Sequence, residues 1–276
     1  MQRALVGIIR HTDIRLVYAL MHIWLLWYVL VRPVPRNGAY VFHRRRGRTR
    51  FQAAVDVYRS FYHFGKAIVD RFAVYAGYEF TVTMCNKDIY DECVQSRSGV
   101  IMLFSHLGNT EMAGYLLNAP CKRMHILVYG GESPVVAGNR AKVMERNNID
   151  MIIARPDDMS HIFRISEILG HGDVLGLAAD RRMGDATLTC TFMGRAAQLP
   201  AGAFRICAAT KMPVLLLFTI KDTAKSYRVF CERLDINAAL PKKQQEQDLA
   251  DRFARRLEDM AMRYPYQWFN MYDFWA

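Results

Sequence analysis

The chain reads as an α/β protein: a mixed, largely parallel central sheet flanked by helices, preceded by an N-terminal membrane-associated helix. Short β-rich runs alternate with helical ones from residue 79 to residue 233. The connections between them are long enough for crossover helices, which parallel pairing requires. Near the N-terminus an apolar run lies between arginines. With 276 residues, 52% of them hydrophobic, the chain has ample material for one large core.

The first 50 residues hold ten arginines against one acidic residue, Asp13, and so carry nearly all of the net charge of +11. A basic end on a nearly neutral globule predicts an anionic surface met by that end. Leu16–Val31 is apolar except for His22. Sixteen residues fall short of the roughly 20 that span a bilayer, so a buried helix, an uncleaved anchor and a signal peptide all compete. The signal peptide is the weakest of these, because Arg32-Pro33-Val34-Pro35-Arg36 stands where a small-residue cleavage site belongs. The run His43–Arg50 follows directly, which favours lipid headgroups over nucleic acid as its partner and, for an anchor, keeps the rest of the chain cytoplasmic. The parse is thus a basic membrane-associated segment, 1–50, and one domain, 51–276.

Apolar residues then recur at helical spacing from Phe51 to Tyr75. The alternation predicts strands at 79–84, 100–104, 125–129, 151–153, 174–178, 214–220 and 227–233. Helices are predicted at 87–95, 109–117, 136–147, 158–169, 201–210 and 242–263. Tyr264–Trp275 holds seven aromatics in twelve residues, readable as a flap over the core or as an interfacial belt. Cys85, Cys93, Cys121, Cys190, Cys207 and Cys231 lie far apart, with no C-x-x-C, and are expected to be reduced core residues.

The candidate chemistry sits in Ser105-His106-Leu107-Gly108-Asn109-Thr110-Glu111, after the apolar run Gly99–Phe104. The five-residue spacing of His106 and Glu111 is itself close to chance, at about 0.75 such pairs in a chain of this composition. Placement gives it weight, since the carboxyl ends of strands carry ligand sites in open α/β sheets. On a continuous helix the two side chains would point about 140° apart. Gly108 permits a turn and Asn109 is a good N-cap, so a helix starting there would put Glu111 beside the histidine loop. A carboxylate holding one imidazole nitrogen leaves the other free to take a proton, and the first N–H groups of the helix could steady an oxyanion. A satisfied core histidine and a Glu placed by the helix dipole remain the plain alternatives. No H-E-x-x-H, G-x-S-x-G, P-loop or G-x-G-x-x-G occurs, so no metal, serine nucleophile or nucleotide is expected.

Further blocks follow in order: Arg155 with Asp157-Asp158, a helix ending at Gly170–Asp173, Ala179-Asp180, Phe192-Met193-Gly194, Ala201-Gly202-Ala203, Pro213-Val214 and Tyr264–Phe269. With His106 and Glu111, these make the chain resemble the lipid A secondary (lauroyl/myristoyl) acyltransferases, within the wider glycerolipid acyltransferase-like superfamily, from about Phe51 to the C-terminus. The resemblance implies acyl transfer from an acyl carrier protein or coenzyme A thioester to a hydroxyl of an anionic glycolipid, without metal or cofactor. The expected setting is the cytoplasmic face of the inner membrane. It implies His106 as base and Glu111 as its orienter, with Arg155, Asp180, Asn109 and Arg181 toward substrate. A loop-capping Asp180 and an Arg155 paired with Asp157 are the structural alternatives. Two departures bear on the acceptor: Tyr129-Gly130-Gly131 stands where that family usually shows Tyr-Arg-Pro, and Arg181-Arg182 where relatives often show Gln and an acidic residue. Another glycolipid or an aminolipid therefore remains open as acceptor, as does a non-catalytic protein that binds membrane or nucleic acid through its basic run.

Overall fold

The computed structural model describes residues 2–117, 122–129, 148–154, 160–182 and 184–275. The expected helix 136–147 and the expected substrate residue Arg155 lie outside the described residues.

Seven strands form the central sheet: β1 (Thr81–Cys85), β2 (Val100–Phe104), β3 (Met124–Tyr129), β4 (Ile149–Ala154), β5 (Val174–Ala178), β8 (Val214–Lys221) and β9 (Ser226–Arg233). Their order is β1-β9-β8-β2-β5-β3-β4, and every described pairing is parallel except β8 with β9. The fold class is thus the one the alternation predicts. Every residue of β2 is buried, as expected of a strand covered on both faces. Helices α5 (Lys87–Gln95), α6 (Thr110–Leu116), α7 (Ser160–Gly170), α8 (Ala201–Thr210) and α9 (Lys242–Arg263) supply the covering layers. One core cluster joins β2, β5 and β8 to α7, α8 and α9 through residues such as Leu103, Leu177, Ile165, Phe204 and Phe253. A second, on the opposite face, joins the same strands to α5 through Tyr90, Cys93 and Val94. Cys85, Cys93, Cys190, Cys207 and Cys231 are free thiols.

A hairpin of β6 (Thr187–Phe192) and β7 (Arg195–Pro200) stands apart from the sheet, and the alternation did not predict it. Its turn puts Met193 at φ 51° and Gly194 at φ 71°, the double positive φ of a type I′ connection. Met-Gly announces that turn far more weakly than Asn-Gly would.

Four helices precede the sheet: α1 (Gln2–His11), α2 (Ile14–Val31), α3 (Pro33–Arg45) and α4 (Arg50–Tyr75). Thr49 opens α4 with a reciprocal capping box to Gln52. Phe42 of α3 is buried in the main core and meets Trp268 edge-on. At Gly38 the helix passes so close to the C-terminal segment that a Cβ would lie 2.4 Å from the Tyr272 nitrogen. The arginine run is also partly absorbed into the fold: Arg45 lies 4.2 Å from the Trp275 ring, Arg46 donates to His43, and Arg48 pairs with buried Asp56 at 2.7 Å. Of the aromatic C-terminus, Trp268, Phe269 and Phe274 are buried against the core.

Candidate active site

β2 ends at the middle of the sheet, and the chain then turns sharply through Gly108 at φ +77°. A Cβ there would sit 2.1 Å from the Thr219 carbonyl oxygen, so the position requires glycine on two counts. The turn is clamped from both sides. Gly108 N donates to the Gln267 carbonyl and Asn109 N to the Thr219 carbonyl, while Phe269 N donates to the His106 carbonyl. Gln267 itself is fixed by accepting from Lys221 N and donating to the Lys221 carbonyl, both at 2.9 Å.

His106 is held by Asp180, at the end of the neighbouring strand β5. Its Nδ1 lies 2.7 Å from Asp180 Oδ1, and its backbone N–H donates to Asp180 Oδ2 at 2.7 Å. Asp180 is fully buried, which pushes its carboxyl pKa up; the adjacent imidazole, the two hydrogen bonds and Arg181 outweigh that, and the net position is below the ordinary carboxylate value. An ionised carboxylate only accepts, so Nδ1 must donate, and in the neutral ring Nε2 then carries the lone pair. The His106 side chain is 36% exposed, on the wall of a cavity.

The expected orienter, Glu111, does not have that place. Among the described residues no hydrogen bond or ion pair links it to His106. Its Oε2 instead lies 2.5 Å from Arg71 Nε, and Tyr75 donates to its Oε1 at 3.4 Å. The reason is directional: α6 begins at Thr110, and its first turn carries Glu111 toward α4, whereas Asp180 reaches His106 from the parallel neighbour strand. Asn109 likewise spends its side chain inside the fold. It occupies the N-cap position but makes no side-chain cap bond. Its amide donates to the Ala67 carbonyl and the Tyr227 hydroxyl, both at 3.2 Å, so it braces the loop from beneath and is not among the residues lining the cavity. Its backbone N–H, spent on Thr219, is not available to an oxyanion. Arg181 does line the cavity, steadied by the Phe269 carbonyl at 3.3 Å. Arg71 and Tyr75 were not expected, because an amphipathic pattern does not show which polar residues of α4 face a site.

Beneath the loop lies a buried ion pair. Lys221 Nζ sits 2.6 Å from Asp70, whose carboxylate also accepts from the hydroxyls of Tyr18 and Tyr227. Burial lowers the Lys221 pKa, against the pull of Asp70, and raises that of Tyr227 well above the ordinary phenol value. Through Tyr227 this cluster reaches Asn109, tying α2 and α4 to the histidine loop.

The cavity measures about 1170 Å³. Its polar mouth includes His106, Thr110, Glu111 and Arg181, and its apolar length runs between α7 and α8 past Ile165, Leu177, Ala203 and Ile206 to Thr210 and Met212. Since Met212 precedes β8, the trough descends from the carboxyl ends of the strands toward their amino ends. A Cβ on Gly202, in its wall, would meet nothing within 4 Å. Among the described residues no group of three or more His, Cys, Asp and Glu could hold a metal ion.

The class is thus a mixed α/β protein that holds an imidazole, oriented by a buried carboxylate, on the wall of a long and largely apolar cavity; an imidazole so held can take up a proton. The chain belongs to the bacterial lipid A biosynthesis acyltransferases, whose family model matches residues 36–276. No curated protein matches it. Membership makes it an acyltransferase, an enzyme that moves an acyl group from a donor to a lipid acceptor.

Proposed function

We propose that the enzyme transfers a fatty acyl chain from an acyl carrier protein or coenzyme A thioester to a hydroxyl of a lipid A precursor or related anionic glycolipid. The reading rests most on one observation: His106, its Nδ1 held by Asp180, lines the polar end of a long and largely apolar cavity. His106 Nε2 takes the acceptor hydroxyl proton as the oxygen attacks the thioester carbonyl carbon. The tetrahedral adduct then collapses with cleavage of the C–S bond, and the departing sulfur receives that proton. A thioester is already activated, so no metal, nucleotide or other cofactor enters the scheme. The trough takes the acyl chain, excluding water from the thioester while the lipid hydroxyl arrives at the polar mouth.

Arg181, on the cavity wall, suits an anionic headgroup, with Arg71 paired to the lining residue Glu111. Arg155 is a candidate for the same work, and an aminolipid or polyene glycolipid acceptor is the alternative reading. The exposed apolar face of α2 and the N-terminal arginines support work at a membrane, here the cytoplasmic face of the inner membrane, with lipid and not nucleic acid as the partner of the basic run. Mass spectrometry of lipids from cells with and without the protein identifies the product. His106→Ala is expected to lower transfer at least about 100-fold while membrane binding persists. Unchanged transfer would remove His106 from the mechanism.

A further inference from the structure

Helix α2 passes for a membrane span by length and apolarity, yet its surroundings argue for a different placement. Ile14, Val17, Tyr18 and Leu25 are buried against the body of the protein, with Val69 and Ala73 of α4 beside the first three and Val57 and Phe61 beside Leu25. The two helices therefore run antiparallel along each other. The opposite face is bare: Leu16, Leu20, Ile23, Trp24, Leu26, Trp27 and Leu30 are each more than half exposed. At about 100° per residue these seven cover an arc of about 160°. Arg10 and Arg15 at one end and Arg32 at the other are exposed as well.

Helix α4 cannot follow α2 into hydrocarbon. It carries Asp56, Arg59, Lys66, Asp70 and Arg71 along its length. It is also joined to the sheet domain at both ends, by Tyr266 on Asp56 and by Lys221 and Tyr227 on Asp70. Setting α2 across a bilayer would drag those charges and the sheet edge in with it, or strip α2 from its partner.

Resting on the reading that the enzyme works at a membrane, we propose that α2 lies flat in the interface of an anionic bilayer and does not cross it. Its bare face then enters the acyl boundary, with Trp27 near the middle of that face, Trp24 at its edge at headgroup depth, and the flanking guanidiniums among lipid phosphates. The histidine loop is held within one helix layer of the lipid, because Asn109 donates to the Ala67 carbonyl of α4.

The full chain carrying both His11→Cys and Asn37→Cys is reconstituted into sealed vesicles of phosphatidylglycerol and phosphatidylethanolamine. It is treated with a membrane-impermeant maleimide, and the labels on each molecule are counted by mass, with the unsubstituted chain as baseline for half-buried Cys85. A flat helix leaves both positions on one side, so molecules gain two labels or none. A majority with one label means that α2 spans and overturns the proposal. In flotation, replacing Arg10, Arg15 and Arg32 by Gln is expected to weaken binding to the anionic vesicles at least about tenfold; unchanged binding overturns the headgroup contacts. A parent chain that does not float at all, or that associates with itself through the bare face instead, refutes the membrane reading itself.

Discussion

At the scale of single residues, the pair that matters joins positions 74 apart in sequence. Asp180→Asn keeps the shape, and its amide oxygen can still accept from the His106 backbone. Its NH2 would then face Nδ1, forcing the proton onto Nε2, the nitrogen that must act as base. Turnover is expected to fall about 100-fold or more with the thermal midpoint nearly unchanged, as steady-state kinetics and calorimetry on one preparation would show. Glu111→Gln leaves Nδ1 held by Asp180 and is expected to cost less than about tenfold in kcat, with any larger effect in KM for the lipid. Equal losses in kcat for the two variants would return the orienting role to Glu111. The local spacing of His106 and Glu111 was legible in sequence, whereas the partnership with Asp180 needs the knowledge that β2 and β5 are neighbours.

At the scale of elements, the trough between α7 and α8 links architecture to substrate choice. Gly202 lies in its wall and a Cβ there meets no neighbour, so Gly202→Leu adds bulk at that point of the cavity. Transfer from long-chain donors is expected to fall about tenfold or more relative to short-chain donors, read by competing thioesters of different length in one assay. Helices α7 and α8 were both visible as periodic patterns, but the space between them is a property of packing that periodicity does not carry. The same holds for α4, whose amphipathic pattern was plain while the use of Arg71, Asp70 and Asp56 was not. The expected aromatic flap does cover the core through Trp268 and Phe274, and its backbone also clamps the histidine loop, which composition does not reveal.

At the scale of the whole molecule, buried histidines make stability depend on pH. Burial, and then the nearby Arg46 and Arg48, hold His43 down to about 4 against the pull of Asp56. Burial with Lys66 and Lys221 does the same for His63, also to about 4. The unfolded chain takes these protons near 6.5, so it binds more of them than the native state between that value and 4. The stabilisation from the neutral rings is therefore complete above about pH 6.5 and is lost as the pH falls toward 4. Between pH 7 and pH 5 the two together are expected to cost roughly 4 kcal/mol, measured by denaturant unfolding. His43→Gln and His63→Gln should each flatten that slope.

The sequence by itself determined the alternating elements, the mixed sheet, the strand-end histidine, the apolar N-terminal run and its flanking charge. These follow from period, composition and chain order, which are local quantities. Tertiary structure decided which carboxylate holds His106, that Asn109 braces the loop, that part of the arginine run serves the fold, and where the trough lies. Each depends on which strands and helices become neighbours, and parallel crossovers bring together the ends of segments that sequence keeps far apart.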